Sequence, residues 1–251
     1  MDLGLNNAVA LVTGSGRGIG LAIAETLHRE GCNVAFNDRD WEPLDAILQR
    51  LGERASAHLG DVTDPVSCRA MIEEVVAHWG RLDVLICNVG SGRSVPPGAE
   101  TQEEWRRVFE LNLWSTTNTV EAARPHIEKS HGAIVCTSSI CGIEALGAPL
   151  TYSAAKAALN SYVTGIARPL GKHGVRINAV APGNIMFEGG TWARKIAEAP
   201  AAVAEMLYRD VSLGRLGTTE EIADFVAFLA SPRAAFATGS VFVVDGGQVR
   251  S

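Results

Sequence analysis

Residues 8–38 constrain the fold of this chain more than any other stretch. Ala8-Val-Ala-Leu-Val-Thr13 is an unbroken apolar run, the pattern of a strand buried on both faces. Thr13-Gly-Ser-Gly-Arg-Gly-Ile-Gly20 follows. From Ile19 to Glu30 the apolar residues fall at helical spacing, with Ile19, Ala22, Ile23 and Leu27 on one face. Gly31 ends that helix, and a second apolar strand, Asn33 to Asn37, runs into Asp38. Strand, glycine turn, helix and strand predict a right-handed crossover unit of the kind that binds dinucleotides. Glycine lets the backbone approach a pyrophosphate, and the helix N-terminus offers it N–H groups and partial positive charge. The glycines stand at 14, 18 and 20, with a fourth at 16. The spacing is therefore Gly-x-x-x-Gly-x-Gly, not Gly-x-Gly-x-x-Gly. By position, Gly14, Arg17, Gly18, Ile19 and Gly20 are the candidate phosphate contacts. Asp38, at the end of the second strand, is placed to accept hydrogen bonds from an adenosine ribose and to repel a 2′-phosphate. It favours NAD over NADP. Arg39 argues the other way, since a guanidinium pairs well with phosphate.

A second constellation lies far along the chain, in Tyr152-Ser-Ala-Ala-Lys156. A spacing of four puts both side chains on one helix face. A phenol is a poor base at neutral pH, with an ordinary pKa of about 10. A neighbouring ammonium is expected to lower that value and so to make a proton donor and acceptor of the pair.

Carrying both motifs, the chain resembles the short-chain dehydrogenase/reductase family, in its small single-domain form. The likeness runs over essentially the whole sequence. Its motifs appear in order: Thr13-Gly14-x3-Gly18-x-Gly20, Asp61-Val62, Asn88-Val89-Gly90, Asn112, Ser139, Tyr152-x3-Lys156, Pro182-Gly183 and Asp245-Gly246-Gly247. The resemblance implies a Rossmann-like α/β fold and hydride transfer between a nicotinamide cofactor and a secondary alcohol or ketone. It implies that Asp61 contacts the adenine amino group and that Val62 packs on the ring. Asn88 and Gly90 would line the cofactor, Asn112 would hold a water in a proton relay, and Lys156 would also bond the nicotinamide ribose. Pro182 and Gly183 would lie beside the nicotinamide. Ser138 and Ser139 are adjacent, and strand alternation with the thirteen-residue gap to Tyr152 selects Ser139, whose hydroxyl would donate to the reacting oxygen. Two departures stand out. Valine replaces the usual alanine at Val89. Phe187 replaces the usual threonine, so the carboxamide contact is expected from backbone around Ile185.

Composition agrees. The chain has 251 residues, 47% hydrophobic, and a net charge of −6, within reach of one domain with a sizeable core. The lack of a basic block argues against nucleic acid and anionic membrane as partners. No apolar run approaches the ~20 residues that span a bilayer. The N-terminus has no charged region ahead of an apolar one, so no signal peptide is expected. Five cysteines without a Cys-x-x-Cys pair point away from disulfides and metal and toward a reducing cytoplasm.

The remaining chain alternates strand and helix. Strands are expected at 55–59, 82–87, 133–137, 176–181 and 240–244. Helices are expected at 65–78, 103–128, 152–172 and 219–230. Seven strands with intervening helices imply a doubly wound parallel sheet covered on both faces in a single domain, 1–251. Segment 184–210 lies outside the alternation and reads as a helical lid over the substrate. Ile143, Phe187 and Trp192, with Leu146 and Met186, suggest an apolar pocket beside Ser139 and Tyr152. Arg93, Arg194 and Lys195 are either anion holders or surface charge. The expected substrate is an aliphatic, aromatic or polycyclic secondary alcohol. The alternatives are an NADPH-dependent 3-oxoacyl thioester reductase and a non-catalytic nicotinamide-sensing protein. A sensor has no need of Asn112, Ser139, Tyr152 and Lys156 together. The family resemblance implies a homotetramer or homodimer.

Overall fold

Strand residues in this chain divide by parity between two apolar layers. In the computed structural model, which describes residues 1–250, β1 (Val9–Thr13) is buried at every position. Ala10 and Val12 join one hydrophobic cluster, Val9 and Leu11 the other. This is the two-sided burial that the apolar run at 8–13 predicts. After β1 come α1 (Gly18–Arg29), β2 (Asn33–Asp38), α2 (Trp41–Leu51), β3 (Ala55–Leu59), α3 (Pro65–Trp79) and β4 (Val84–Cys87). Then follow α4 (Gln102–Phe109), α5 (Ser115–Ser130), β5 (Ala133–Thr137), α6 (Leu150–Gly171) and β6 (Arg176–Pro182). The last third holds β7 (Ile185–Met186), α7 (Thr191–Glu198), α8 (Pro200–Asp210), β8 (Gly217–Thr218), α9 (Thr219–Ala230) and β9 (Val241–Val244).

Seven strands form one parallel sheet in the order β3-β2-β1-β4-β5-β6-β9. Helices α1 and α9 pack on one face, where Ile23, Leu27, Ile222 and Val226 bury against Val12, Phe36 and Val180. On the other face α3, α5 and α6 bury Met71, Ile72, Ile127, Leu159 and Val163 against Leu11, Leu85, Ile134 and Ile177. The sheet reverses direction of growth between β1 and β4, and the carboxyl ends of these two strands open the crevice where doubly wound sheets bind ligands.

Several elements follow directly from local chemistry. Asp64 caps α3 by accepting from the N–H groups of Val66 and Ser67, with Pro65 at the first helical position. Thr218 and Glu221 close a reciprocal capping box on α9. Other elements differ from the sequence reading. Helix α2 is additional; it buries only Leu44 and Ile47, too thin a stripe to stand out from an exposed surface. The expected single helix over 103–128 is α4 and α5 joined through a π-helical turn, Glu110–Trp114. Strands four and seven begin at Val84 and Val241 rather than at Leu82 and Ser240. Segment 184–210 contains two helices, α7 and α8, preceded by β7, which pairs with β8 in a small second sheet. Among the described residues, no helix is long and apolar enough to cross a membrane.

Candidate active site

The glycine turn is held from below by polar side chains at three strand ends. The Thr13 hydroxyl donates to the Ile86 carbonyl and accepts from the Asn88 N–H. The Asn88 amide donates to the carbonyls of Thr13 and Gly14, and accepts from the Thr137 hydroxyl. One asparagine thus ties together the ends of β1, β4 and β5. Glycine is required for space as much as for conformation. A Cβ on Gly20 would overlap the Gly14 carbonyl oxygen and lie 2.5 Å from the Asn88 amide nitrogen. A Cβ on Gly14 would meet the Val89 methyl at 2.9 Å, so the valine that replaces alanine fits only because its neighbour has no side chain. Helix α1 then starts at Gly18 with Arg17 in the N-cap position, no side-chain cap and no acidic residue in its first turn. Its first N–H groups and the helix dipole remain for an anion, with Ile19 and Gly20 in that first turn.

At the end of β2, the Asp38 carboxylate accepts from the Gly16 N–H at 3.1 Å and from the Arg39 N–H at 2.7 Å. These bonds fix it against the glycine turn. The Arg39 guanidinium lies 3.8 Å from Asp61. Asp61 also accepts from the N–H and hydroxyl of Thr63. Burial works against its charge, but the Thr63 bonds and Arg39 outweigh it and hold the carboxyl below its ordinary pKa. Val62 is buried. The cleft-lining strand ends thus present a backbone cradle that any Cβ would fill, a fixed carboxylate and a run of uncapped N–H groups, a set that fits a dinucleotide.

Beyond the sheet, Ser139, Tyr152 and Lys156 come together as the spacing predicts. The Ser139 hydroxyl lies close enough to the Tyr152 phenol to favour its charged form. Lys156 is 3% exposed, and its ammonium donates to the Thr137 carbonyl at 2.7 Å. It stands 5.9 Å from the Tyr152 ring centroid. Burial pushes the Tyr152 pKa up to about 12, with the Ser139 hydroxyl opposing. Burial likewise brings Lys156 down to about 8. The expectation that the ammonium lowers the phenol pKa is therefore corrected: Lys156 is turned to a backbone carbonyl, and desolvation of the phenolate dominates. Tyr152 rests as a neutral phenol.

Asn112 lies in the π-helical turn and is 0% exposed. Its side chain accepts from the Ser91 N–H and donates to the carbonyls of Ser91 and Val108. Each of its amide atoms has a protein partner, so the side chain ties the π-helical turn to Ser91, while the amide oxygen keeps a second lone pair. Gly90 threads between Asn112 and Lys156, where a Cβ would come within 2.8 Å of the one and 3.0 Å of the other. Pro182 ends β6, and the Gly183 N–H donates to the Val244 carbonyl. Ile185 is buried in β7, paired with Gly217.

Phe187 departs furthest from expectation. Its ring lies 2.9 Å from the position of a Cβ on Gly18 and 2.9 Å from one on Gly190. It is wedged between the glycine turn and the start of α7. Ile143 and Met186 stay 40% and 39% exposed, and Trp192 is half-buried. Ile143 follows the short 3-10 turn after Ser139, whereas Met186 and Trp192 belong to segment 184–210.

Two parts of the site were not foreseen. The Ser138 hydroxyl donates to Asn160 at 2.5 Å, while the Asn160 amide donates to the Gly142 carbonyl. Ser138 is thereby committed to the scaffold, and Ser139 faces Tyr152. Asn160 continues the four-residue spacing of Tyr152 and Lys156, a signal already present in the sequence. The second part is a chain of bonds from Arg107 through Glu104 and Ser94 to Thr151, the residue before Tyr152. Its members are scattered in sequence and carry no spacing signal.

A family model described as Enoyl-(Acyl carrier protein) reductase matches residues 14–248. The 3-oxoacyl-[acyl-carrier-protein] reductase of Escherichia coli K12 is 36% identical over 241 residues, covering 96% of each chain. A 7α-hydroxysteroid dehydrogenase structure, complexed with NADH and 7-oxo glycochenodeoxycholic acid, superposes with a TM-score of 0.90 at 29% identity over 100% of this chain and 97% of its own. An NADPH-bound short-chain oxidoreductase from Pseudomonas aeruginosa PAO1 gives a TM-score of 0.90 at 36% identity over 97% of both chains. The chain belongs to the short-chain dehydrogenase/reductase family of oxidoreductases.

Proposed function

We propose that the protein is an NAD(H)-dependent dehydrogenase that interconverts a secondary alcohol and its ketone. The observation that carries this reading is the buried Lys156 ammonium, 5.9 Å from the Tyr152 ring centroid, with the Ser139 hydroxyl beside the Tyr152 phenol. A bound nicotinamide would supply the hydride donor or acceptor. Gly14, Arg17, Gly18, Ile19 and Gly20 would hold its phosphates. Asp38 would hold the adenosine ribose, with Asp61 and Val62 at the adenine. Asn88, Gly90, Lys156, Pro182, Gly183 and Ile185 would line the nicotinamide half.

The protein's own part is proton control and positioning. In reduction, the neutral Tyr152 phenol gives its proton to the substrate oxygen while Ser139 donates a hydrogen bond to the same atom. In oxidation, Tyr152 must first lose that proton, and Lys156, still largely charged at neutral pH, stabilises the phenolate. Preference for NAD rests on Asp38, whose carboxylate is fixed where a 2′-phosphate would meet like charge. Arg39, the candidate counter-cation, is drawn to Asp61. The substrate body is proposed to be apolar, bounded by Ile143, Met186 and Trp192 under a lid at 184–210, with the Phe187 ring set against Gly18 instead. The assembly is proposed to be a cytoplasmic homotetramer.

NADH formation against a panel of secondary alcohols, repeated with NADP, tests the reading. Turnover with NAD supports it, and turnover of no alcohol with either cofactor sinks it. The similarity to an acyl-carrier-protein reductase favours a second reading, NADPH-dependent reduction of a 3-oxoacyl thioester. A preference for acetoacetyl-CoA with NADPH would establish that one instead.

A further inference from the structure

Between β4 and α4 the chain runs from Ser91 to Glu100 with no strand or helix of its own, yet this loop walls one side of the Tyr152 ring. A Cβ on Gly92 would lie 3.8 Å from Cε1 of Tyr152 and 3.9 Å from both Cδ1 and Cζ. The Gly92 backbone is therefore set against the ring edge that includes the carbon bearing the phenol oxygen. Where the loop stands bears directly on where that oxygen can stand.

Three tethers hold this part of the loop. Ahead of Gly92, Asn112 accepts from the Ser91 N–H and donates to the Ser91 carbonyl. Just past it, the Arg107 guanidinium donates to the Arg93 carbonyl at 2.9 Å. The third tether is the Ser94 hydroxyl, which donates to Glu104 at 2.7 Å and stands 2.6 Å from the Thr151 hydroxyl. Glu104 settles the direction of these bonds. An ionised carboxylate only accepts, and Arg107 grips it through two bonds of 2.8 and 2.6 Å. The Ser94 proton is thus committed to Glu104, and Thr151 donates to the Ser94 oxygen. Bonds to a charged acceptor are the stronger kind, and a bidentate guanidinium fixes the acceptor's orientation as well. Thr151 is 0% exposed and directly precedes Tyr152 in α6. The bond to Glu104 alone would hold the loop to α4. The bond from Thr151 adds a second constraint, joining the loop that walls the ring to the helical turn that carries it.

We propose that Ser94, oriented by Glu104 and Arg107, is a positioning residue for Tyr152: it sets the phenol oxygen relative to the substrate oxygen and takes no part in proton transfer itself. This rests on the reading of Tyr152 as the proton donor.

Ser94→Ala, Thr151→Val and the double variant form the test cycle, with Thr151→Ser as the conservative variant. The substrate is whichever of cyclohexanone, acetophenone and acetoacetyl-CoA the wild type reduces fastest, and NADH binding is followed separately by fluorescence titration. Each single substitution is expected to lower kcat about tenfold, with ketone KM and NADH affinity nearly unchanged. Because both singles break the same bond, the double variant should fall no further than either one. Thr151→Ser keeps the hydroxyl and should keep the wild-type kcat. If Thr151→Val does not fold, Glu104→Gln, which keeps an oxygen for the Ser94 proton, should retain most of the kcat that Ser94→Ala loses. An unchanged kcat in Ser94→Ala, losses that multiply in the double variant, or a kcat loss matched by lost NADH affinity overturns the proposal. So does a Thr151→Ser as impaired as Thr151→Val. With Tyr152→Phe still inactive, each of these leaves the reading of the site standing. If Tyr152→Phe keeps most of its turnover, or the wild type reduces no ketone at all, that reading falls and this inference with it.

Discussion

The glycine turn and segment 184–198 touch at one point, where the Phe187 ring meets Gly18, yet they are specified by opposite rules. In the turn, each glycine is dictated by a close neighbour: Val89 at Gly14, Asp38 at Gly16, Phe187 at Gly18, and the Gly14 carbonyl and Asn88 at Gly20. In the segment, Gly189 has nothing within 4 Å and Gly190 meets mainly the Phe187 ring, while Met186, Glu188 and Lys195 point outward. Close packing determines the turn, and the turn in turn determines which ligand class fits. The segment packs through Ile185 and the Phe187 ring and turns its other side chains outward, so substrate choice can vary there without disturbing the sheet.

The largest expected effect tests the fixed side of this comparison. Tyr152→Phe removes the proton donor while keeping the ring, so kcat should fall about 10³-fold, with NADH affinity by fluorescence nearly unchanged. Retention of most turnover would remove Tyr152 from the mechanism. A difference titration of phenolate absorbance between wild type and this variant should show no ionisation of Tyr152 below about pH 10. The sign follows from burial, which raises the phenol pKa to about 12. Alcohol oxidation, which needs the phenolate, should accordingly gain as pH rises, and ketone reduction should not.

A pair of glycine substitutions sharpens the contrast. Gly20→Ala forces a methyl against the Gly14 carbonyl and the Asn88 amide, and overpacking of this kind costs about 1–3 kcal/mol. Thermal unfolding should show that loss together with lost dinucleotide binding. Gly189→Ala has open space and suffers only the left-handed conformation (φ +71°), about 1 kcal/mol, with binding intact. Equal losses at both positions would show that the turn is no more constrained than the segment. A smaller effect is expected of Asn160→Ala, which releases the Ser138 hydroxyl and the Gly142 carbonyl. Misplacing Ser139 in this way should lower kcat about tenfold; unchanged kcat would make Asn160 purely structural.

The parts legible in the sequence were those set by periodicity or close packing. The two-sided strands, the glycine turn, the Asp64-Pro65 cap and the four-residue spacing of Tyr152 and Lys156 each follow from local geometry. What the sequence did not give was set by long-range burial. The direction of the Tyr152 pKa shift depends on how deeply the ring is enclosed and on Lys156 turning to the Thr137 carbonyl, neither of which spacing encodes. The π-helical turn at Asn112 arises because its amide reaches the Ser91 loop as well as Val108, a tertiary contact that breaks an otherwise regular helical pattern. Helix α2 was missed because two buried side chains are too few to mark a face.

Phe187 is where the constrained and unconstrained regions meet. The ring rests on Gly18, the first residue of α1, on the ground that a pyrophosphate needs if the α1 N–H groups are to receive it. Ring and phosphate then compete for that surface. Shortening the side chain in Phe187→Ala removes the competitor and is expected to tighten NADH binding by about threefold, under 1 kcal/mol, as measured by fluorescence titration. It should also relieve the overlap of Gly18→Ala in the double variant, where the three nearest atoms are this ring's, leaving the cost of a left-handed φ of +58°, about 1 kcal/mol. Weaker NADH binding in Phe187→Ala would reverse the assignment: the ring would then be a wall of the occupied site, and the segment would be as fixed by the cofactor as the turn is by its own backbone.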